Sequence, residues 1–86
     1  MDNNFCIVTF YSTHLALDFE RVVKSNDLEV KLVPVPRQIS SSCGLAGRFS
    51  YNKLEEIKLL CNKNHIEFDN IYRLSEAKSG KPELIV

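Results

Sequence analysis

An α+β fold, with two helices set among four strands, is what the sequence predicts, on three observations. Phe5 to Phe10 is a near-continuous apolar, β-branched run, the signature of a central strand buried on both faces. Two later stretches, Leu15-Phe19-Val22 and Leu54-Ile57-Cys61, place apolar residues at the three- and four-residue spacing of a helix. Between them Leu28, Val30 and Leu32 alternate with Glu29 and Lys31, the two-residue period of a strand with one wet face.

Each element follows in order. Ser12 stands where a helix N-cap belongs, and Ala16 and Val23 widen the apolar stripe that starts at Leu15. Ser25-Asn26-Asp27 ends that helix, and Pro34 stops the alternating strand after it. Leu45 to Phe49 reads as a short third strand in which Gly47 marks a bulge or a close backbone approach. Ser50 or Asn52 caps the second helix, the latter with Glu55 at the capping-box position. Asn62 to Asn64 release that helix, and Ile66 to Leu74 supplies the fourth strand, strongest from Asn70. Residues 1–75 are expected to form the domain and 76–86 a flexible C-terminal tail, in which Leu84-Ile85-Val86 could dock as an edge segment.

The order β-α-β-β-α-β predicts a ferredoxin-like sandwich, a four-stranded antiparallel sheet with two helices on one face. Right-handed crossovers place the loop between strands 2 and 3 at the end where helix 1 begins. Ser12, Thr13 and His14 are therefore expected at the same end as the stretch from Pro34 to Gly44, with His65 towards it. Strand 1 is apolar on both sides, so its second face needs a cover. A homodimer through the open sheet face is the favoured expectation, with the tail folded over it as the alternative.

Composition narrows the function classes. The 86 residues suit one domain, and 44% hydrophobic with 26% charged residues is ordinary globular usage. Eleven basic residues balance eleven acidic ones, and the strands lack interleaved basic and aromatic residues, so nucleic acid is not an expected partner. No apolar run reaches membrane-spanning length, and no basic leader precedes the first strand. Three cysteines without a Cys-x-x-Cys pair suit free thiols in a reducing compartment, so a cytoplasmic location is expected, with no metal.

The chemistry concentrates between Pro34 and Gly44. Two prolines lead past Arg37 into Ser40, Ser41 and Ser42, then Cys43 and Gly44. An ordinary cysteine titrates near about 8.5, and a cation or a helix N-terminus lowers that value. Arg37 and the head of helix 1 would supply both. The serines can donate to sulfur or to an anion attached to it, and Gly44 would let the backbone turn and leave the sulfur approachable. Cys6 and Cys61 fall on core positions and read as structural. Plainer roles exist beside these: Ser12 as an N-cap, His14 as a helix-start residue, His65 as a solvated helix end, and Arg37 paired with Glu20 or Glu67.

Phe10, Ser12-Thr13-His14, Ala16, Pro34, Pro36-Arg37 and Ile39-Ser40-Ser41-Ser42-Cys43-Gly44 together carry a resemblance. From Phe5 to Tyr72 the chain is similar to a family of small bacterial sulfur- or selenium-carrier-like proteins. The resemblance implies that Cys43 holds sulfur or selenium covalently, as a persulfide or selenopersulfide, and needs no other cofactor. It also implies donor and acceptor proteins, with catalysis belonging mainly to those partners. Other sulfur-relay carriers place their cysteine in a Cys-Pro-x-Pro turn, whereas here the Pro-x-Pro precedes it. The alternative is a non-catalytic anion- or protein-binding regulatory module in which Arg37 and Ser40–Ser42 hold the ligand.

Overall fold

A computed structural model of the chain describes residues 4–37, 39, 44–75 and 82–85. Five strands and two helices succeed one another: β1 (Asn4–Thr9), α1 (Thr13–Ser25), β2 (Lys31–Pro34), β3 (Leu45–Ser50), α2 (Leu54–Lys63), β4 (Asn70–Ser75) and β5 (Glu83–Leu84). A 3₁₀ turn, Tyr51–Lys53, leads into α2. The sheet order is β2-β3-β1-β4-β5, and every neighbouring pair is antiparallel. The expected count of four strands is thus corrected to five. The added strand comes from the tail: Leu84 pairs with Tyr72 and Glu83 with Arg73, whose guanidinium lies 2.8 Å from the Glu83 carboxylate.

β1 and β2 each run antiparallel to β3, so they are parallel to one another, and α1 is the crossover between them. Thr9 is level with Ala46 and with Asn70, and Pro34 with Leu45. The end of β1, the end of β2, the start of β3 and the start of β4 therefore share one edge of the sheet. Thr9 fixes that edge. Its buried hydroxyl donates to the Asn70 carbonyl and accepts from the Asn70 N–H, while its own carbonyl accepts from Asp69 N–H at 2.7 Å.

Two apolar clusters flank the sheet. On the helix face Cys6, Val8 and Phe10 meet Ala16, Phe19 and Val23 of α1, Ile57 and Cys61 of α2, and Ile71 of β4. On the opposite face Ile7, Ala46 and Leu74 are buried under Ile39, with Phe5, Val33, Val35 and Tyr72 around them. Ile39 is only 6% exposed. Burying a side chain of that size contributes roughly 1.5–3 kcal/mol. Among the described residues, Ile39 of the β2–β3 connection is buried at the centre of this second face. At its far end the Arg48 guanidinium lies 4.0 Å from the Phe5 ring centre.

Local chemistry explains the helix boundaries. Ser12 Oγ accepts from Leu15 N–H, as an N-cap should. No side chain caps the start of α2, so neither Ser50 nor Asn52 plays the capping role expected of it; the 3₁₀ turn makes the entry instead. Both helices end in the same way. Leu28 N–H donates to Val23 O and Asp27 N–H to Lys24 O; Ile66 N–H donates to Cys61 O and His65 N–H to Asn62 O. These are paired Schellman bonds, and they require a left-handed residue, here Asp27 at φ 57° and His65 at φ 55°. His65 is thus a turn-forming, exposed helix-end residue.

Gly47 marks a close approach. A β-carbon there would stand 2.8 Å from the Phe19 ring and 2.9 Å from Val8. Phe19 is itself pressed on Phe10, ring centres 5.2 Å apart, so it has little room to retreat. Gly47→Ala is expected to destabilise the protein by about 1–3 kcal/mol, read by urea unfolding. His65→Gly, which relieves a left-handed residue, should instead gain about 0.5–1 kcal/mol.

Candidate functional site

The shared edge sets the head of α1 and the described flanks of the Pro34–Gly44 stretch at one end of the sheet. Past Thr9 the chain turns through Tyr11, 58% exposed, into Ser12, Thr13 and His14 at the head of α1. Past Pro34, Val35 N–H donates to the Gly44 carbonyl at 3.1 Å, one step beyond the Pro34–Leu45 pair. This bond closes the neck of the connection. Within it Ile39 N–H donates to Pro36 O at 3.0 Å, a four-residue turn with Arg37 at its second position.

Arg37 is exposed. Among the described residues it makes no ion pair, and Glu20 is engaged by Lys24 at 3.4 Å. The surface pairing expected with Glu20 or Glu67 is absent there. Gly44 is exposed too, and no atom lies within 4 Å of where its β-carbon would stand. Ser40, Ser41, Ser42 and Cys43 lie outside the described residues.

The head of α1 divides its work. The Ser12 hydroxyl is committed to the helix, accepting from Leu15 N–H at 3.4 Å. His14 is exposed and faces Asp18, one turn along. Arg21, donating to Asp18 Oδ1 at 2.8 Å, holds that carboxyl below its ordinary value, and His14 adds to the effect. The head of α1 and the described flanks of the connection, Pro34 and Gly44, thus share an end of the sheet. The neck's anchor, however, packs on the face away from the helices.

Two thiols are described, and neither is suited to ionic chemistry. Cys6 and Cys61 are buried in the helix-face cluster. Burial pushes each thiol up to about 11, with Arg73 partly opposing it at Cys6. Cys61 also floors a cavity of about 450 Å³ at the end of α2, bounded by Lys58, His65, Ile66 and Phe68 among others. Among the described residues no three His, Cys, Asp or Glu side chains gather as a metal set, and no helix is long and apolar enough to cross a membrane.

Ile39 is the residue whose part the residue pattern left unassigned. Its signal was visible: one β-branched apolar side chain between Gln38 and a run of serines, in an otherwise polar stretch. Nothing in that stretch, however, says which face of the sheet it should meet.

Comparison with known proteins adds one result. A family model described as "Putative Se/S carrier protein-like" matches residues 5–73. No curated protein matches the chain, and no solved structure does.

The buried thiols give a pH prediction. Each has a folded value near 11 against an ordinary 9.0, so the folded state holds its proton more tightly than the unfolded state. Their contribution to stability is complete below pH 9 and lost as pH rises through 11. Urea midpoints measured from pH 8 to 11 should fall across that window, and Cys61→Ala should flatten the fall.

Proposed function

The chain belongs to the Se/S carrier protein-like family, and from that premise we propose that it carries a sulfur or selenium atom on the thiol of Cys43. The observation that carries the reading is the disposition of its sulfur atoms. Of three cysteines, two are sealed in the core and held protonated. The third is bonded to Gly44, an exposed residue at the neck of a connection pinned to the edge of the sheet. A carrier thiol needs that combination of a fixed base and open space. The scaffold reads as a ferredoxin-like sandwich extended by β5, since β2-β3-β1-β4 is the strand order of that fold with its two crossover helices.

The transfer conserves atoms and electrons. The Cys43 thiolate attacks the outer sulfur of a donor persulfide, R–S–SH. A new S–S bond forms, the donor's S–S bond breaks, and the donor departs as a thiolate, leaving Cys43–S–SH. The acceptor step repeats this exchange with a second thiolate as nucleophile. No external oxidant or reductant is needed. In this reading Arg37 and the hydroxyls of Ser40, Ser41 and Ser42 stabilise the anionic outer atom, and Gly44 keeps the approach open. The head of α1, with Thr13 and His14, adds its N–H groups and partial positive charge from the same end. In this reading the partners are a donor and an acceptor protein, and unpaired cysteines suit a reducing compartment such as the cytoplasm.

Arg37 also supports the second reading, an anion- or protein-binding module with Cys43 incidental, because it is exposed and unpaired among the described residues. One experiment separates the two. The protein is incubated with a cysteine desulfurase and cysteine or selenocysteine, then weighed intact. The carrier reading predicts a gain of one sulfur or selenium atom on wild type and none on Cys43→Ala. Equal loading of the variant, or no loading of wild type, would sink it. Arg37→Ala is expected to slow loading about tenfold, the scale of one charge-assisted hydrogen bond.

A further inference from the structure

We propose that Ile39 is the positioning residue of the Cys43 connection, seating it against the sheet face opposite the helices. The inference rests on the carrier reading for its purpose, but its evidence is separate. Ile39 is 6% exposed, and its side chain is buried with Ile7, Ala46 and Leu74. Those three belong to three adjacent strands, β3, β1 and β4, so the contact spans the centre of the sheet. The residue is held at its backbone as well, through its N–H bond to Pro36 O.

A second tether lies a few residues on, where Gly44 O accepts from Val35 N–H. In sequence, Ser40, Ser41, Ser42 and Cys43 stand between the two tethers. A connection anchored at a second point has fewer conformations open to it than one held only at its neck. The apolar contact of Ile39 is therefore a second anchor within the ten residues between β2 and β3, four positions before Cys43 in sequence. Val33 and Val35, in the same cluster, carry the strand side of the seat.

Shortening Ile39 should act on Cys43 without touching it. The test compares wild type, Ile39→Ala, Ile39→Val and Ile57→Val. Ile57 is fully buried in the helix-face cluster and serves as a matched core change. The pH profile of Cys43 alkylation, located by peptide mass, is the first readout; the rate of sulfur loading from the desulfurase is the second. Ile39→Ala is expected to move the alkylation profile towards that of an unstructured cysteine and to slow loading by about tenfold or more. Ile39→Val should lie between, and Ile57→Val should match wild type in both. If Ile39→Ala does not fold, the Ile39→Val comparison decides. A folded Ile39 variant with the wild-type profile, or an equal effect from Ile57→Val, overturns the proposal. Should wild type take up no sulfur while the profile still depends on Ile39, the carrier reading falls and the positioning role stands.

Discussion

Burial of β1 on both faces is the constraint from which the rest of the domain follows. Cys6, Ile7, Val8 and Thr9 are at most 1% exposed, so the strand must sit centrally and be covered twice. One cover is conventional: α1 and α2 lie over Cys6 and Val8, and Gly47 makes room for Phe19 to reach the sheet. On the other face, among the described residues, Ile39 of the β2–β3 connection is buried with Ile7, Ala46 and Leu74. Ile39 and Cys43, the proposed carrier residue, belong to one connection, so the proposal links the stability of the second face to the chemistry of that thiol. A change at one should register at the other.

The two described sulfur atoms, of Cys6 and Cys61, are buried. Two cysteines use the residue as a compact apolar filler, and desolvation takes their thiols out of reach of ordinary pH. That segregation matters in a protein proposed to hold a labile chalcogen. A second accessible thiol would attack Cys43–S–SH and release its cargo as hydrogen sulfide, leaving a disulfide. Keeping Cys6 and Cys61 protonated and enclosed removes that route from within the chain.

Much of this was legible in the sequence because the relevant signals are local. The continuous run at Phe5–Phe10 and the spacings after Ser12 and Leu54 fixed the type and order of the main elements, since periodicity and capping act within one or two turns. The shared end of Ser12–His14 and the Pro34–Gly44 stretch was legible too, through the handedness of crossovers. Other features depend on partners distant in the chain. β5 has two residues and no periodicity; it exists because β4 offers an edge and Arg73 meets Glu83. The start of α2 looked like a capping box, but the chain enters through a 3₁₀ turn with no side-chain cap. Ile39 could not be assigned to a face, because a lone apolar residue in a loop has no period to orient it.

The central claim is that Ile39 belongs to the core of the second sheet face in the single chain. Methyl-labelled protein, shown to be monomeric by sedimentation, tests it through cross-relaxation between the Ile39 methyls and those of Ile7, Ala46 and Leu74. The account predicts contacts to all three, with the Ile39 and Val35 amides protected from hydrogen exchange together. An Ile39 methyl at its random-coil position, with no contact to Ile7 or Leu74, would contradict it.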